Sequence, residues 1–242
     1  MNIYQQIVNK SVQGKKQFAI LIDPDKETEA TLLALCSLAN ESKVDYFFVG
    51  GSLLTQDCLD ACIITLKVNS KIPVVLFPGS VLQINHKADG ILFLSLISGR
   101  NPDLLIGKHV VSAPMLKQSN LEILPTGYIL IDGGRPTSVS YMSNTTPIPA
   151  NKKDIAVCTA MAGEMLGLKL IFMDAGSGAE NPVHEKMVAA VKKSIGVPLI
   201  IGGGIKSAEK AKAVFDAGAD IVVIGNAIEK SPSLIAEIAA VR

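Results

Sequence analysis

The sequence predicts an α/β fold, a (β/α)8 TIM barrel with one modified helix segment. Eight short runs rich in Val, Ile, Leu and Phe recur along the chain, and each ends in Gly, Ser, Asp or Pro. Amphipathic stretches separate most of these runs, and this alternation is typical of a parallel sheet covered by helices. The last two runs both lead into glycine, as at the phosphate-binding end of such a barrel.

The predicted strands are continuous apolar runs, as expected for strands that are buried on both faces. They span 18–23, 46–51, 73–79, 90–95, 127–134, 169–176, 198–205 and 219–228. Helices are predicted between them, for example over 27–42 and 151–167. The eighth strand favours a closed barrel over an open sheet. Because a barrel domain has about 250 residues, we predict a single TIM-barrel domain over 1–242.

An aspartate directly precedes three of the predicted strands. These residues are Asp45, Asp89 and Asp220. The start of each strand lies on the N-terminal face of a barrel, opposite the face where catalytic residues collect. We therefore interpret the three aspartates as structural.

Two segments interrupt the alternation of strands and helices. Residues 97–125 are longer than one helix with its loops, and we expect a variation of the barrel wall or a subunit contact there. Residues 135–149 are polar, rich in Ser and Thr, and closed by two prolines. Long loops in compact domains are usually functional. Because this loop follows the fifth strand on the catalytic face, we interpret it as a lid, with a passive surface loop as the alternative.

Composition excludes several classes of protein. The net charge is +1, from 23 basic and 22 acidic residues, and no basic block of the kind that binds nucleic acid is present. No apolar stretch reaches the roughly 20 residues that span a bilayer, and the N-terminus lacks a signal core, so we expect a cytoplasmic protein without stable membrane insertion. The cysteines are interpreted as small buried hydrophobes in a reducing compartment. They are Cys36, Cys58, Cys62 and Cys158.

A candidate metal site follows the first two strands. The first strand ends in Asp23-Pro24-Asp25, and the second ends in two glycines and Ser52. Mg²⁺ takes one or two protein carboxylates and completes its shell with substrate phosphate and water. Asp23 and Asp25, with the Ser52 hydroxyl on the neighbouring strand end, suit that requirement. An Asp-Pro pair is also a common helix start, which is the alternative.

The sixth strand supplies the best candidate for acid–base chemistry. Asp174 ends this strand and is followed by small residues, so it can accept a proton from a substrate hydroxyl or orient it. Helix capping is the alternative role. The glycines 202–204 and the pair Gly225-Asn226 offer backbone donors and a helix N-terminus to a phosphate. Asp132 has a strand-end position but no evident partner, and we interpret it as structural.

The sequence offers no covalent nucleophile. His86, His109 and His184 lie outside the predicted strand ends and have no metal-pair spacing. The chain contains no GxSxG motif, so a hydrolase triad is not expected. A metal, a phosphate site and one base favour chemistry with an anionic leaving group, such as a diphosphate.

Six motifs in chain order resemble those of the geranylgeranylglyceryl phosphate synthase family, including its PcrB-like bacterial members. They are LIDPDK (21–26), VGGS (49–52), VLFPGS (75–80), FMDAGSGAE (172–180), IIGGGIKS (200–207) and VIGNAIE (223–229). The resemblance covers about residues 17–230. The segment 126–149 is similar to the second group of that family, found in some archaea and in Bacteroidetes-type bacteria.

The resemblance implies a prenyltransferase that joins the C3 hydroxyl of sn-glycerol 1-phosphate to a polyprenyl group, with geranylgeranyl the expected donor. The diphosphate of the donor is released, and an ether lipid precursor forms. The resemblance also implies a homo-oligomer. The polyprenyl chain requires an apolar groove, which we expect near Leu53, Leu54, Leu94 and Leu96.

Carried over to this sequence, the family's site residues form three groups. Asp23 and Ser52 are implied as ligands of Mg²⁺, and Asp174 as the group that orients and deprotonates the attacking hydroxyl. The residues implied to bind glycerol 1-phosphate are Phe172, Met173, Asp174, Ala175, Gly176, Ser177, Gly178, Gly203, Gly204, Gly225 and Asn226.

Two departures from the family pattern matter for the site. The family usually has Tyr-Leu-Glu-Ala-Gly-Ser-Gly where this chain has Phe-Met-Asp-Ala-Gly-Ser-Gly at 172–178. Phe172 lacks a hydroxyl that could bind phosphate, and Asp174 is one methylene shorter than glutamate. A carboxylate is kept at position 174, so we expect an active enzyme with a slightly changed glycerol phosphate pocket. Two alternatives remain: another phosphate-binding barrel enzyme, a lyase or isomerase, and a catalytically silent ligand-binding homologue.

Overall fold

The computed structural model describes residues 2–242, and within them eight parallel strands close into a barrel. The strands are β1 Gln17–Ile22, β2 Tyr46–Val49, β3 Val74–Leu76, β4 Gly90–Leu96, β5 Glu122–Leu130, β6 Leu170–Asp174, β7 Leu199–Gly202 and β8 Ile221–Ile224. Each strand pairs with the next in sequence, and β8 pairs with β1 to close the sheet. The predicted TIM barrel and all eight strands are therefore confirmed.

The fifth strand is longer than the sequence predicted. It begins at Glu122 rather than at 127, and it pairs with β4 over seven residues, from Gly90 opposite Glu122 to Leu96 opposite Tyr128. Pro125 lies inside this strand. A proline normally argues against a strand interior because it lacks an N–H donor, and here the pairing with β4 outweighs that preference.

Ten α-helices cover the barrel within the described residues. They are α1 Ile3–Val12, α2 Glu29–Glu41, α3 Leu59–Asn69, α4 Lys108–Gln118, α5 Ser138–Ser143, α6 Lys153–Met165, α7 Glu185–Ser194, α8 Ala208–Asp216, α9 Asn226–Lys230 and α10 Leu234–Val241. Hydroxyl caps fix several of their starts. Thr28 and Thr31 form a capping box at α2, and the Ser207 hydroxyl accepts from the Lys210 N–H at α8.

Two apolar layers hold the barrel together, because alternate residues of each strand point to opposite faces of the sheet. Inside the barrel, Phe48 and Phe172 pack with residues of the other strands. Outside it, their neighbours Phe47 and Met173 pack against the helices. Only side chains that point into the barrel can reach the C-terminal ends of the strands from inside, so the face on which a residue lies decides whether it can contribute there.

Helix α1 covers the N-terminal mouth of the barrel. Its Ile3 and Ile7 side chains are buried against the inner layer. Below them, the Tyr46 hydroxyl donates to the Gln17 side-chain oxygen at 2.7 Å, and the Gln17 amide donates to the Ile7 carbonyl at 3.3 Å. The barrel is closed at this end, so access to its interior comes from the opposite face.

The three aspartates that precede strands have the structural role that the sequence predicted. Asp45 accepts from the Phe18 N–H at 2.8 Å, and Asp89 accepts from the Val74 N–H at 2.8 Å. Asp220 accepts from the Leu199 N–H at 2.7 Å. Each carboxylate therefore binds the backbone of a neighbouring strand at the N-terminal face, and each is also paired with a lysine.

The two irregular segments each contain a helix. In 97–125, a π-helical turn (Asp103–Gly107) leads into α4, which is the helix expected between β4 and β5. One face of α4 is buried, while Val110, Val111 and Met115 are exposed; the subunit contact there stays a prediction. In 135–149, the short helix α5 is followed by a bridge from Ile148 to Ile131 beside the end of β5.

The prediction of four buried cysteines is half wrong. Cys36 and Cys62 are buried, but Cys58 is only partly buried and Cys158 is exposed. Helix α6 buries Ala156, Ala160 and Gly163, which lie on one face at helical spacing, and Cys158 falls off that face. Within residues 2–242, no helix is both long and apolar enough to cross a membrane.

Candidate active site

A cavity of about 1220 Å³ opens at the C-terminal ends of the barrel strands. Barrel enzymes assemble their chemistry at this end. The loops after β6, β7 and β8 form one wall, which we call the glycine side; it contains Gly176, Gly178, Gly203, Gly204 and Gly225. The opposite wall comes from the loop after β2, from β4, and from the π-helical turn with α4. We call it the leucine side; it contains Leu53, Leu54, Leu94, Leu96, Leu104 and Leu116.

Asp174 lies at the floor of the cavity, at the end of β6, with 7% of its surface exposed. One carboxylate oxygen, Oδ2, accepts from the Tyr128 hydroxyl at 2.5 Å, and Oδ1 accepts from the Gly176 N–H at 2.7 Å. Tyr128 lies on β5, where it is the register partner of Phe172. The ring of Phe172 stacks on Phe77, with centroids 5.2 Å apart, and meets the edge of Tyr128 at 5.5 Å.

The surroundings of Asp174 favour a basic carboxylate. Burial raises the pKa of Asp174, although the hydrogen bonds from Tyr128 and the Gly176 N–H oppose this rise. Burial and the Asp174 charge raise the pKa of Tyr128 well above its ordinary value, so the phenol remains a donor. A carboxylate whose pKa is raised towards the working pH is better suited to accept a proton.

Replacing Tyr128 by Phe should raise the pKa of Asp174 further. The phenol stabilises the charged carboxylate, and a hydrogen bond to a charged group contributes about 1.5–3 kcal/mol. Its loss favours the protonated form. In a carboxyl ¹³C NMR titration, the Asp174 midpoint of Tyr128→Phe should lie at higher pH than in the wild type, whereas Tyr141→Phe, at an exposed tyrosine, should leave it unchanged. An equal midpoint in Tyr128→Phe would contradict this role of the phenol.

The glycines of the β7 loop are required by the close approach of neighbouring backbone. Gly203 has φ +79°, and a Cβ there would lie 2.6 Å from both Asp174 Oδ1 and the Gly176 nitrogen. Gly204 has φ +71°, and its Cβ would lie 2.5 Å from the Asn181 carbonyl oxygen. The two glycines therefore let the β7 loop lie directly against the β6 loop.

The β8 loop completes the glycine side. Gly225 leads into α9, and the Ser177 hydroxyl donates to Asn226 Oδ1 at 3.0 Å, which ties the β6 and β8 loops together. The sequence predicted a helix N-terminus for phosphate binding here. Because α9 has only five residues, its dipole is small, and the donors it offers are individual backbone N–H groups.

The predicted metal ligands lie on the same side of the cavity mouth. Asp23 lines the cavity, and a Cβ at Gly51, the neighbour of Ser52, would lie 3.7 Å from Asp23 Oδ1. The Lys26 ammonium is 3.3 Å from Asp23 Oδ2 and 3.3 Å from Glu229. Burial lowers the pKa of Lys26, but the two carboxylates outweigh this effect and raise it overall.

Asp25 does not join this group, contrary to the prediction of two carboxylates at the metal. Its Oδ2 accepts from the Thr55 N–H at 2.6 Å, and its Oδ1 accepts from the Gln56 N–H at 3.2 Å. The hydrogen bond from the Thr55 N–H is the main reason that the pKa of Asp25 is lowered. Its side chain is thus engaged by the loop after β2. The Asp25 backbone N–H donates to Asp23 Oδ1 at 3.3 Å, so Asp23 also caps the short helical turn Pro24–Lys26, as the helix-start alternative predicted.

The four leucines expected to form an apolar groove all line the cavity. The leucine side also contains His109, whose Nε2 lies 3.1 Å from the Ser95 hydroxyl. Burial lowers the pKa of His109, which keeps the imidazole neutral. The sequence did not predict His109 as a site residue, because it lies on α4 and not at a strand end.

Most of the predicted site residues meet around the cavity, with two exceptions. Phe172, Asp174 and the residues 176–178 line it together with 203–204 and 225–226. Met173 and Ala175 do not line it, because alternate residues of β6 point outwards and these two pack in the outer layer. Their side chains therefore cannot bind the ligand, which corrects the prediction. Asp132 also lies outside the cavity and accepts from the Gly134 N–H.

Comparison with known proteins agrees with this geometry. A model of the PcrB family matches residues 10–242. A geranylgeranylglyceryl phosphate synthase of Chitinophaga pinensis is 57% identical over 237 residues, 98% of this chain and 94% of the relative. A synthase of the same name from Pyrococcus horikoshii is 41% identical over 95% of this chain and 90% of its own.

A solved structure is similar along its whole length. It is the (S)-3-O-geranylgeranylglyceryl phosphate synthase of Thermoplasma acidophilum in complex with its substrate sn-glycerol-1-phosphate. The TM-score is 0.94 at 31% identity, and the match covers 100% of this chain and 98% of the other. The family model, the bacterial and archaeal relatives and this structure give one result: the chain belongs to the PcrB family.

Proposed function

We propose that this protein is a prenyltransferase that moves a polyprenyl group from its diphosphate to the C3 hydroxyl of sn-glycerol 1-phosphate. The expected polyprenyl group is geranylgeranyl. The observation that supports this most directly is the shared cavity, whose lining includes Asp174, the glycine side with its backbone N–H groups, and the apolar leucine side. One substrate of this reaction is small and anionic, and the other has a long hydrocarbon chain. The glycine side suits the small anionic substrate, and the leucine side suits the hydrocarbon chain of the other.

Glycerol 1-phosphate binds on the glycine side in this proposal. Gly203, Gly204 and Gly225 line the cavity, and their backbone N–H groups are the proposed donors to the phosphate. The Ser177 hydroxyl and the Asn226 amide face the same wall. The structure of the Thermoplasma acidophilum relative contains sn-glycerol-1-phosphate, which supports the choice of this compound as the ligand.

Asp174 acts as the general base. The C3 oxygen attacks the allylic carbon of the donor, the bond from that carbon to the diphosphate oxygen breaks, and the diphosphate leaves with the bonding electrons. The C3 hydroxyl proton passes to the Asp174 carboxylate. The raised pKa of Asp174 favours this transfer, while Tyr128 and the Gly176 N–H fix the carboxylate in place.

Mg²⁺ is the proposed cofactor, and the chemistry of the donor set fits it. Asp23 supplies a carboxylate that lines the cavity, and Ser52 supplies a hydroxyl. Both are hard oxygen ligands, and Mg²⁺ usually takes one or two carboxylates together with substrate phosphate. When bound, the ion would neutralise charge on the departing diphosphate. Within the described residues no cluster of three or more His, Cys, Asp or Glu is present, so the donor's diphosphate would complete the coordination.

The polyprenyl chain binds on the leucine side. Transfer of its methylene and methyl groups from water to this wall stabilises the complex by about 25 cal/mol per Å² of apolar surface that becomes buried. The same wall keeps water from the allylic carbon, where hydrolysis of the donor would compete with ether formation.

The test is prenyl transfer by the purified protein. With labelled sn-glycerol 1-phosphate, geranylgeranyl diphosphate and MgCl2, an organic-soluble prenyl ether should form, and EDTA should stop its formation until excess Mg²⁺ is restored. Asp23→Asn should raise the Mg²⁺ concentration for half-maximal rate, whereas Asp132→Asn, outside the cavity, should not.

Three outcomes would contradict parts of this proposal. No ether product with donors of any prenyl length would overturn the transferase function and favour a catalytically silent homologue. Turnover of a sugar phosphate without Mg²⁺ would favour a lyase or isomerase. Full ether formation in EDTA would leave the transfer intact and remove Mg²⁺ from it.

A further inference from the structure

We propose that Arg135 binds the phosphate of sn-glycerol 1-phosphate, as a cationic residue that reaches the glycine side from the loop after β5. This inference rests on the proposed function and adds a specificity-determining side chain to a site otherwise formed by backbone and short polar groups. It also gives the 135–149 segment a role at the catalytic face.

The charged end of Arg135 lies against the glycine side. Its Nη2 atom is 2.8 Å from the position that a Cβ would occupy at Gly178, and the Asn226 amide nitrogen is 3.8 Å from that same position. A side chain at residue 178 would therefore collide with the guanidinium. The guanidinium and the Asn226 amide face one point on the wall where the phosphate is proposed to bind.

The backbone on both sides of Arg135 is fixed against the β6 loop. Gly134 has φ +93°, and a Cβ there would lie 3.0 Å from the Asn181 amide nitrogen. Thr137 is buried, and its Oγ1 lies 2.7 Å from the Cβ position of Gly176. Arg135 thus extends from a short anchored segment, so little conformational freedom of the backbone is lost when it binds a ligand.

Arg135 is free to bind an anion, unlike two other cations of the cavity wall. Lys26 is paired with Asp23 and Glu229, and Lys206 donates to the Glu180 carbonyl. Over residues 2–242, Arg135 has neither an ion pair nor a hydrogen bond, and it is exposed to the cavity.

The glycine side needs a cation when its ligand is bound. The Asp174 carboxylate is charged when it acts as a base, and a phosphate monoester near it adds up to two further negative charges. Backbone N–H groups supply only partial charges. The planar guanidinium binds two phosphate oxygens at once, and its hydrogen bonds to an anion are stronger than those between neutral groups.

The experiment compares ligand binding by calorimetry in the wild type, Arg135→Gln and Arg135→Lys. For sn-glycerol 1-phosphate and for inorganic phosphate, Arg135→Gln should raise the Kd about 10- to 100-fold, and Arg135→Lys should fall between it and the wild type. The Kd for geranylgeranyl diphosphate should stay within about twofold in each variant. Lys186→Gln is the matched control, because it removes an exposed cation of α7 outside the cavity. It should leave all three constants unchanged.

The outcomes separate this inference from the proposed function. Equal Kd values for sn-glycerol 1-phosphate in the wild type and in Arg135→Gln overturn the role of Arg135 and leave the prenyl transfer standing. Binding that depends on Arg135, in a wild type that forms no prenyl ether, supports the phosphate site and overturns the transfer. A wild type that binds neither phosphate compound overturns both. An equal loss for geranylgeranyl diphosphate contradicts the assignment to glycerol phosphate.

Discussion

Asp174→Asn should lower the rate of prenyl transfer by about 100- to 10,000-fold, the range that loss of a general base produces. Asparagine has nearly the same shape as aspartate, so it can still accept from the Gly176 N–H and meet the Tyr128 hydroxyl. It cannot accept the proton of the attacking hydroxyl. We therefore expect kcat to fall while the Kd for geranylgeranyl diphosphate stays unchanged.

The thermal stability of Asp174→Asn shows whether its lower rate comes from loss of the catalytic base or from unfolding of the protein. The unfolded chain exposes the carboxyl to water, where its pKa is about 3.9, and burial raises that pKa in the folded protein. Folding stability is therefore greater at low pH and is lost as the pH rises through the folded pKa. Asparagine does not ionise, so the variant does not lose this stability as the pH rises. The Tm of Asp174→Asn at neutral pH should therefore equal or exceed that of the wild type.

Two controls sharpen the interpretation of Asp174. Asp132→Asn removes an exposed carboxylate at the end of the neighbouring strand, outside the cavity, and its kcat should equal that of the wild type. Asp174→Glu keeps a base but adds a methylene in a crowded place, so its kcat should lie between those of Asp174→Asn and the wild type. Unchanged turnover in Asp174→Asn would remove this residue as the base.

The barrel and much of the site could be predicted from the sequence because both depend on local patterns. A buried parallel strand is a continuous apolar run, and its C-terminal end is where ligands bind. Asp23 directly follows the end of β1 and Asp174 ends β6, so the sequence predicts both as site residues. The glycines after β7 and β8 are predictable for the same reason, since only glycine permits that approach of the backbone.

What the sequence did not predict depends on which side chains meet in three dimensions. Tyr128 lies in an apolar run and looks like a core residue, yet closure of the barrel brings its hydroxyl to Asp174. Asp25 carries a carboxylate close to Asp23 in sequence, as a metal ligand would. The loop after β2, however, supplies N–H groups that donate to this carboxylate. Met173 belongs to a ligand motif by position and is turned outward by the alternation of the strand. For Tyr128 and Asp25, a contact between distant segments decided the outcome.

Gly203→Ala should lower turnover about 100-fold or more and should also destabilise the fold. The residue has φ +79°, and its new Cβ would lie 2.6 Å from Asp174 Oδ1 and 2.6 Å from the Gly176 nitrogen. Both atoms belong to the proposed base and the loop that holds it, so neither can move without displacing the carboxylate. A displacement of about 1 Å in an active site can cost about 100-fold in rate.

Gly14→Ala separates the two causes of this loss. Gly14 has φ +69°, but no atom lies within 4 Å of its Cβ position, and it precedes β1 at the opposite end of the barrel. Alanine there carries only the backbone strain, a cost of about 1–3 kcal/mol. We expect Gly14→Ala to lower the Tm and keep its kcat, and Gly203→Ala to lower both, as measured by calorimetry and prenyl ether formation. If a folded Gly203→Ala kept full turnover, the base would not lie where Asp174 does, because the clash falls on that carboxylate.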